Sequence, residues 1–265
     1  MRKQPSVAIV IGSYKAPDFI RLNIKACRRV FGDDCPILVS DDHSGSSGEI
    51  EGISDEEGCH FAGSSQRRSH CSGDWQAFIN GAVFGRQTGA EICLKLSQRF
   101  VPVDSRFRDL ILEPFTDPNV AITYAPQMNK KHLARPGIGL YSQFKMLTDC
   151  LAWRPCEVDP DMLLRVYVER QKTGHKLSAV PECAWAQIVD EQFNGRAVGV
   201  EKLSNPDLYE GKAYLRKASA TQGEYIRLAQ ELGIEGGNFD LREWNAQEGV
   251  NYLVRPVVVN ELKTS

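Results

Sequence analysis

Four short apolar runs recur along the first half of the chain, with amphipathic stretches between them. The runs are "SVAIVIGSY", "CPILVS", "EICLKL" and "NVAITYAP". Uninterrupted apolar runs of this length, rich in valine and isoleucine, are typical of strands that are buried on both faces, as in parallel sheets. Strands that alternate with helices pack as right-handed crossover units. The alternation therefore predicts an α/β protein with an open, doubly wound, mostly parallel sheet.

The stretches between these runs carry the spacing of helices. "KAPDFIRLNIKACRRVFG" places Pro17 and Asp18 where a first helical turn favours them. In "SGDWQAFINGAVFGRQTG", Trp75, Phe78 and Ile79 recur at intervals of three and four and predict an apolar helix face. "DSRFRDLILEPF" predicts a further short helix.

The second half of the chain is less regular. "LYSQFKMLTDCLAW", residues 140–153, predicts a helix, as does "DPDMLLRVYVERQKTG" with Asp159 at the N-cap and Pro160 at the first helical position. "HKLSAVPE" predicts a strand, and "TQGEYIRLAQELG" predicts one more helix.

These patterns predict a main domain and an appended segment. The main domain is expected over residues 1–195, with a nucleotide-binding half at about 1–125 and an acceptor half at about 126–195. Residues 196–265 are expected to form a helical and irregular C-terminal extension that packs on it. Length alone does not separate one large domain from a domain with an appendage.

Composition narrows the class of partner and the compartment. The net charge of −2 gives no electrostatic reason to expect nucleic acid as a partner. None of the eight cysteines forms a C-x-x-C pair, and "MRKQPSVAIV" leads straight into a strand without a separate signal peptide. No apolar run approaches the ~20 residues of a membrane span. We therefore expect a cytoplasmic protein with reduced thiols.

Polar side chains cluster where the first two predicted strands end. Ser13 and Tyr14 close the first strand, and Asp41, Asp42 and Ser44 follow the second. Ligands of open α/β sheets bind at the carboxyl ends of strands, and a carboxylate there accepts hydrogen bonds from a nucleobase N–H or a ribose hydroxyl. The alternative is that the two aspartates only stabilise a turn in "DDHSGSSG".

These two segments, "VAIVIGSYKAPDFI" and "ILVSDDHSGSS", resemble the start of GT-A nucleotide-sugar glycosyltransferases of the family-2-like type, which carry "P-T-Y-N" and "V-D-D-x-S-x-D" there. The resemblance covers roughly Val7 to Pro181. It implies a GT-A (Rossmann-like) fold and a nucleotide-sugar donor, with a UDP-sugar as the first expectation. The residues that it implies in nucleotide binding are Ser13, Tyr14, Asp41, Asp42 and Ser44.

The third strand end departs from that family. "KLSQRF" aligns with its "K-L-D-x-D", so Ser97 and Arg99 stand where two metal-binding aspartates are usual. We therefore expect no metal cofactor, with Mg²⁺ or Mn²⁺ as the alternative. Arg99 is the expected diphosphate cation, unless it is merely a solvated charge. A loop over residues 127–139 supplies further cations, namely Lys130, Lys131, His132 and Arg135.

The acceptor side of the resemblance lies in "VDPDMLLRVYVERQKTGHKLSAVPE". Asp159 matches the family's general base at a helix start, with Asp161 and Glu157 as neighbouring candidates. Trp153 is the candidate for stacking on an acceptor sugar. Asp159 is equally well explained as an N-cap that stabilises its helix by about 1 kcal/mol.

The function expected from these residues is an inverting, metal-independent transfer of a sugar to a hydroxyl acceptor, in the synthesis of a surface polysaccharide or glycolipid. One alternative is a catalytically silent GT-A domain that binds a nucleotide or a partner. A nucleotidyltransferase ranks last, because "IGSYKAPDF" is a poor Gly-rich basic loop. Contact with the inner face of a membrane and a homodimer both stay open.

Overall fold

The computed structural model of the protein describes residues 5–68, 70–126, 146–172, 180–204 and 211–241. Within these ranges it has strands at β1 Val7–Ser13, β2 Ile37–Asp41, β3 His60–Gly63, β4 Ile92–Ser97, β5 Phe100–Pro102, β6 Ile122–Pro126, β7 Met146–Trp153, β8 Ala197–Gly199 and β9 Tyr214–Arg216. The α-helices are α1 Pro17–Phe31, α2 Ser47–Glu56, α3 His70–Gln87, α4 Ser105–Leu112, α5 Pro160–Lys172, α6 Pro181–Gln192 and α7 Gln222–Glu231. No helix in the described ranges is both long enough and apolar enough to cross a membrane.

Seven strands form one sheet in the order β3-β2-β1-β4-β7-β6-β8. The first four of these run parallel, β7 is antiparallel to both of its neighbours, and β8 is parallel to β6. The predicted mostly parallel α/β sheet is therefore confirmed. Strands β5 and β9 form a separate antiparallel pair.

The register brings four strand positions to one edge of the sheet. Ser13 is paired with Asp41, and Gly12 with Ser97. Leu96 is paired with Cys150, so Asp149 at the next position of antiparallel β7 lies beside Ser97. We call the edge defined by Asp41, Ser13, Ser97 and Asp149 the carboxyl edge. Neighbouring strands are about 4.8 Å apart, so these four positions span about 14 Å.

Apolar side chains fill both faces of the sheet. Helices α1, α2 and α4 cover one face, where Ile20, Ile24 and Phe107 are buried. Helices α3, α5 and α6 cover the other. A third cluster joins the outer side of α1 to α7 through Phe19 and Tyr225, whose ring centroids are 5.1 Å apart. The described residues 211–241 thus pack on the main sheet layer through α1.

Two predicted elements differ from the structure. The predicted helix over residues 140–153 is wrong at its C-terminal part, since Met146–Trp153 is strand β7. A short apolar run is compatible with either a helix or a strand. Here the segment pairs with both β4 and β6, so it forms a strand. In "HKLSAVPE", residues 175–179 lie outside the described residues, while Pro181 and Glu182 begin α6 instead of ending a strand.

A buried asparagine supports the bend between β4 and β5. The Nδ2 of Asn23 on α1 lies 3.3, 3.3 and 3.0 Å from the backbone carbonyl oxygens of Ser97, Gln98 and Phe100. Asn23 has no exposed surface. Buried backbone carbonyls need hydrogen-bond donors, and Asn23 supplies donors to this bend.

Replacing Asn23 by Ala is expected to lower the free energy of unfolding by about 1–3 kcal/mol, because buried carbonyls lose their donor. Urea denaturation followed by circular dichroism measures this change. Asn119→Ala, at an exposed position, is the matched control and should leave the midpoint unchanged. Equal effects of the two substitutions would contradict the role assigned to Asn23.

Candidate active site

The carboxylate of Asp41 organises the tips of β1 and β2. It accepts hydrogen bonds from the Ser13 hydroxyl at 2.9 Å, from the Ser44 backbone N–H at 3.0 Å and from the Ser44 hydroxyl at 3.2 Å. Only 1% of Asp41 is exposed. The sequence grouped these three residues as nucleotide contacts, and the structure brings them together. Their hydrogen bonds to one another fix the strand tips as one unit.

Asp42 lies against the first turn of α3. Its Oδ1 accepts from the Arg68 backbone N–H at 2.8 Å. A Cβ on Gly73 would lie 2.5 Å from the Asp42 carboxylate, so only glycine lets the helix approach this closely. Burial lowers the pKa of the Arg68 guanidinium, while the charge of Asp42 opposes that shift. The approach brings α3 to the carboxyl edge.

Two non-glycine residues in the described ranges adopt positive φ, and both follow strand tips. Lys15 has φ of 55° after β1, and His43 has φ of 47° after β2. Strained backbone of this kind clusters at ligand sites. Between the two tips, the Tyr14 ring has the Arg67 guanidinium 4.7 Å from its centroid and the Lys15 ammonium at 5.4 Å. The edge near β1 therefore carries an aromatic face with two cations.

The most buried charge of the carboxyl edge is Lys95, which has no exposed surface. Its ammonium group forms an ion pair with Asp74 of α3 and lies 2.8 Å from the Thr148 carbonyl oxygen and 3.4 Å from the Ser97 hydroxyl. It also lies 4.7 Å from the ring centroid of Phe78. These three polar contacts match the three N–H donors of an ammonium group.

Asp149 continues this network toward the C-terminal segment. Its Oδ1 is 3.4 Å from the Ser97 hydroxyl, and its Oδ2 accepts from Nε of Arg216 at 2.9 Å. Asp74, Lys95, Ser97, Asp149 and Arg216 thus form one connected polar chain. It passes through Ser97, where the sequence resemblance places a metal-binding aspartate.

Glu182, in the first turn of α6, belongs to the same electrostatic cluster. Burial raises the pKa of its carboxyl group to about 7; its own backbone N–H opposes the rise. Asp74 and Asp149 raise the pKa further, and Lys95 lowers it. A carboxyl group that titrates near neutrality and faces two carboxylates has the property expected of a catalytic acid or base.

Arg99 packs toward the C-terminal segment. Its guanidinium lies 5.4 Å from the Phe19 ring centroid, and one Nη is 3.4 Å from the Asp240 carbonyl oxygen. The Tyr225 hydroxyl donates to the Arg99 carbonyl at 2.6 Å. With 8% exposed surface, Arg99 packs against Phe19 and Tyr225 of the third apolar cluster.

The three carboxylates predicted as general bases lie at the opposite edge of the sheet. Trp153 at the end of β7 is paired with Cys93 near the start of β4, so the chain that follows is at the amino ends of the parallel strands. There Asp159 pairs with Arg86 at 3.2 Å and Glu157 with Arg196 at 2.5 Å. Exposed Asp161 lies in the adjoining first turn of α5. The structure does not bring these residues to Asp41 and Asp42, contrary to the arrangement expected from the sequence.

Trp153 is a core residue in the structure. It has no exposed surface and packs between Phe78 and Trp185, with ring centroids 6.1 and 6.0 Å away. A ring without an exposed face does not stack on a sugar, so the predicted acceptor contact does not fit this arrangement. The predicted loop cations Lys130, Lys131, His132 and Arg135 lie outside the described residues.

Sequence reasoning missed Asp74, Lys95, Asp149, Glu182 and Arg216. A charged residue inside the apolar run "ICLKL" was a usable signal for Lys95, because a lysine is almost never fully buried without a partner. Asp74 could have followed from it, since a crossover helix begins at the carboxyl edge. The other three could not be found from local patterns. Asp149 lies in a segment predicted as a helix, Glu182 lies in a segment predicted as a strand, and Arg216 lies on β9, which is distant in sequence.

The described residues contain no group of three or more His, Cys, Asp or Glu side chains arranged to hold a metal ion.

Comparison with known proteins identifies the fold. No family model matches the sequence, and no curated protein matches it. The galactosyltransferase LgtC, solved with donor and acceptor sugar analogues, matches 84% of this chain and 95% of its own with a TM-score of 0.53 at 10% identity. A mannosyltransferase from Pyrobaculum calidifontis, solved with GDP-Man and Mn²⁺, matches 77% of this chain with a TM-score of 0.47 at 11% identity. The chain spans only 56% of that enzyme.

A third solved structure, a cytidylyltransferase from Leptospira borgpetersenii, matches 86% of this chain and 93% of its own with a TM-score of 0.43 at 11% identity. The likeness to LgtC covers nearly the whole of both chains and agrees with the mostly parallel sheet. The protein therefore has the GT-A fold of nucleotide-sugar glycosyltransferases.

Lys95→Met is expected to lower the free energy of unfolding by about 3 kcal/mol, because it leaves the Asp74 carboxylate without its buried partner. The value belongs at the lower end of the range for broken buried pairs, since 20% of the Asp74 side chain is exposed. Adding Asp74→Asn should restore part of the loss. Urea denaturation of the single and double variants measures the coupling, and strictly additive losses would contradict the ion pair.

Proposed function

We propose that this protein transfers a sugar from a nucleotide-sugar donor to a hydroxyl acceptor. The observation that carries the proposal is the gathering of a titratable carboxyl group, two aspartates, a lysine and an arginine at the carboxyl edge of a GT-A sheet, where α/β proteins bind their ligands. A UDP-sugar is the proposed donor. A saccharide or glycolipid is the proposed acceptor, in keeping with the sequence resemblance.

The nucleoside is proposed to bind near the tips of β1 and β2. Tyr14 offers a ring for stacking, and Asp42 offers a carboxylate for a nucleobase or ribose donor. Asp41 is already hydrogen-bonded to Ser13 and Ser44, which suits it to hold the tips in place. From here, a nucleoside diphosphate that extends along the carboxyl edge reaches Ser97.

The transfer is proposed to proceed without a metal ion. The two carboxylates in the polar chain through Ser97 already have protein cations as partners, Asp74 with Lys95 and Asp149 with Arg216. A divalent ion would have to displace these cations before it could use either carboxylate. Fixed positive groups stabilise a departing diphosphate by the same electrostatics as a metal does.

Glu182 is proposed as the general base, in place of Asp159, Asp161 and Glu157. The acceptor hydroxyl loses its proton to the ionised Glu182 carboxylate, and its oxygen forms a bond to the anomeric carbon. The bond from that carbon to the phosphate oxygen breaks, and the nucleoside diphosphate leaves with the electron pair. A single displacement of this kind inverts the anomeric configuration.

Isothermal titration calorimetry with UDP, GDP and CDP tests donor recognition. UDP is expected to bind the full-length protein, and EDTA is expected to leave its affinity unchanged because protein cations face the phosphates. Affinity that disappears with EDTA would contradict the metal-free mechanism. Failure of all three nucleotides to bind would contradict the proposed function, and binding without turnover would favour a catalytically silent nucleotide-binding module.

Glu182→Gln is expected to lower turnover roughly 10²–10⁴-fold with little change in nucleotide affinity, because it removes the proton acceptor and keeps the side-chain shape. In the wild type, turnover should rise as the pH rises through about 7, since Glu182 accepts a proton only when it is ionised. The rise should be absent in the variant. Release of nucleoside diphosphate from the bound donor, measured between pH 5 and 9, provides both quantities.

Asp159→Asn is the matched control for this substitution. It also replaces a carboxylate by an amide, but at the opposite edge of the sheet beside Arg86. Its turnover and pH profile should match those of the wild type. A large loss in Asp159→Asn together with normal turnover in Glu182→Gln would return the general base to the position predicted from the sequence.

A further inference from the structure

The C-terminal segment contributes a strand right beside the tip of β4. Strand β9 pairs antiparallel with β5, with Phe100 opposite Arg216 and Pro102 opposite Tyr214. The Phe100 and Tyr214 rings stack with centroids 4.6 Å apart, which fixes β9 in this register. Because β5 begins three residues after Ser97, this pairing places Arg216 at the carboxyl edge.

Arg216 is held there by one of its five N–H donors. Its Nε donates to Asp149 at 2.9 Å, and 13% of the Arg216 side chain is exposed. Among the described residues, Asp149 is the hydrogen-bond acceptor of this guanidinium, and it takes only the Nε donor. The N–H groups of the two Nη atoms are left for a ligand.

The other cations near Ser97 are committed elsewhere. Lys95 has no exposed surface, and its three donors face Asp74, the Thr148 carbonyl and Ser97. Arg99 packs on Phe19 in the third apolar cluster. Of these three cations in the described part of the chain, Arg216 combines a guanidinium fixed through Nε with Nη donors left for a ligand.

We propose that Arg216 binds the diphosphate of the donor nucleotide, so that the C-terminal segment completes the active site. This proposal rests on the proposed function. A guanidinium fork offers two parallel N–H donors to phosphate oxygens, and its planar geometry is preorganised for that contact. Asp149 orients the fork through Nε and leaves the Nη donors to the ligand. As charge develops on the departing diphosphate, the same contact strengthens.

The test compares UDP with uridine, because only UDP carries the diphosphate. Calorimetry on the full-length protein should show that Arg216→Ala weakens UDP binding about 10- to 100-fold, the effect expected for loss of a hydrogen bond to a charged group. Uridine affinity should stay unchanged. Arg216→Lys should retain part of the UDP affinity, since it keeps the charge but not the fork. Arg227→Ala, which removes an exposed cation from α7, is the charge control and should bind both ligands as the wild type does.

Asp149→Asn supplies a change in the opposite direction. It removes a negative charge beside the proposed diphosphate position, so UDP should bind more tightly while uridine is unaffected. If the pair of Asp149 and Arg216 only held β9 in place, both substitutions would weaken UDP and uridine together, and the proposal would be overturned. Circular dichroism and the unfolding midpoint verify that each variant is folded.

Unchanged UDP affinity in both folded Arg216 variants would also overturn the proposal while leaving the proposed function intact. If the wild-type protein binds neither UDP nor uridine, the proposed function fails, and this inference fails with it.

Discussion

Lys95 lies on β4, the central strand of the sheet, and its ammonium group has no contact with water. This buried charge requires polar partners, and those partners form the site around it. An unpaired charge in that position would cost several kcal/mol, so α3 brings Asp74, β7 brings the Thr148 carbonyl, and the strand tip brings the Ser97 hydroxyl. Each of these contacts ties a different element to β4. The antiparallel placement of β7 is part of the same arrangement, because it carries Thr148 and Asp149 to the carboxyl edge.

The two edges of the sheet have different chemical characters. At the amino ends of the parallel strands, Asp159 forms an ion pair with Arg86 of α3, and Glu157 forms one with Arg196, the residue before β8. Partly exposed pairs of this kind contribute little to stability. At the carboxyl edge, a polar chain joins α3, β4, β7 and β9, and a glutamic acid with a pKa of about 7 lies beside it. A carboxyl group whose ionisation is held near neutrality by its surroundings is typical of functional sites.

Ser97 lies at the strand-tip position where the family that the sequence resembles has a metal-binding aspartate. With serine at position 97, the polar chain through this strand tip contains the carboxylates of Asp74 and Asp149, and each has a protein cation as a partner. One of these cations comes from β9, so the described residues 211–241 are linked to the candidate site as well as to the packing of α1 and α7.

The sequence by itself determined much of the local structure and predicted where the candidate site lies. The apolar runs of β1, β2, β4 and β6 and the amphipathic spacing of α1, α3, α5 and α7 were sufficient to predict these elements, because hydrophobic periodicity is a local property. Ser13, Asp41 and Ser44 could be grouped for the same reason, since parallel strands end at a common edge.

Tertiary structure alone decided which carboxylates face that edge. Asp159 and Glu182 both lie at the start of a helix, and only the packing of α5 and α6 on the sheet places them at opposite edges. Residues 146–153 form strand β7 because they pair with both β4 and β6. Arg216 reaches Asp149 through the pairing of β9 with β5, two segments distant in sequence. Contacts of that kind depend on the three-dimensional path of the chain, which no local pattern of residues specifies.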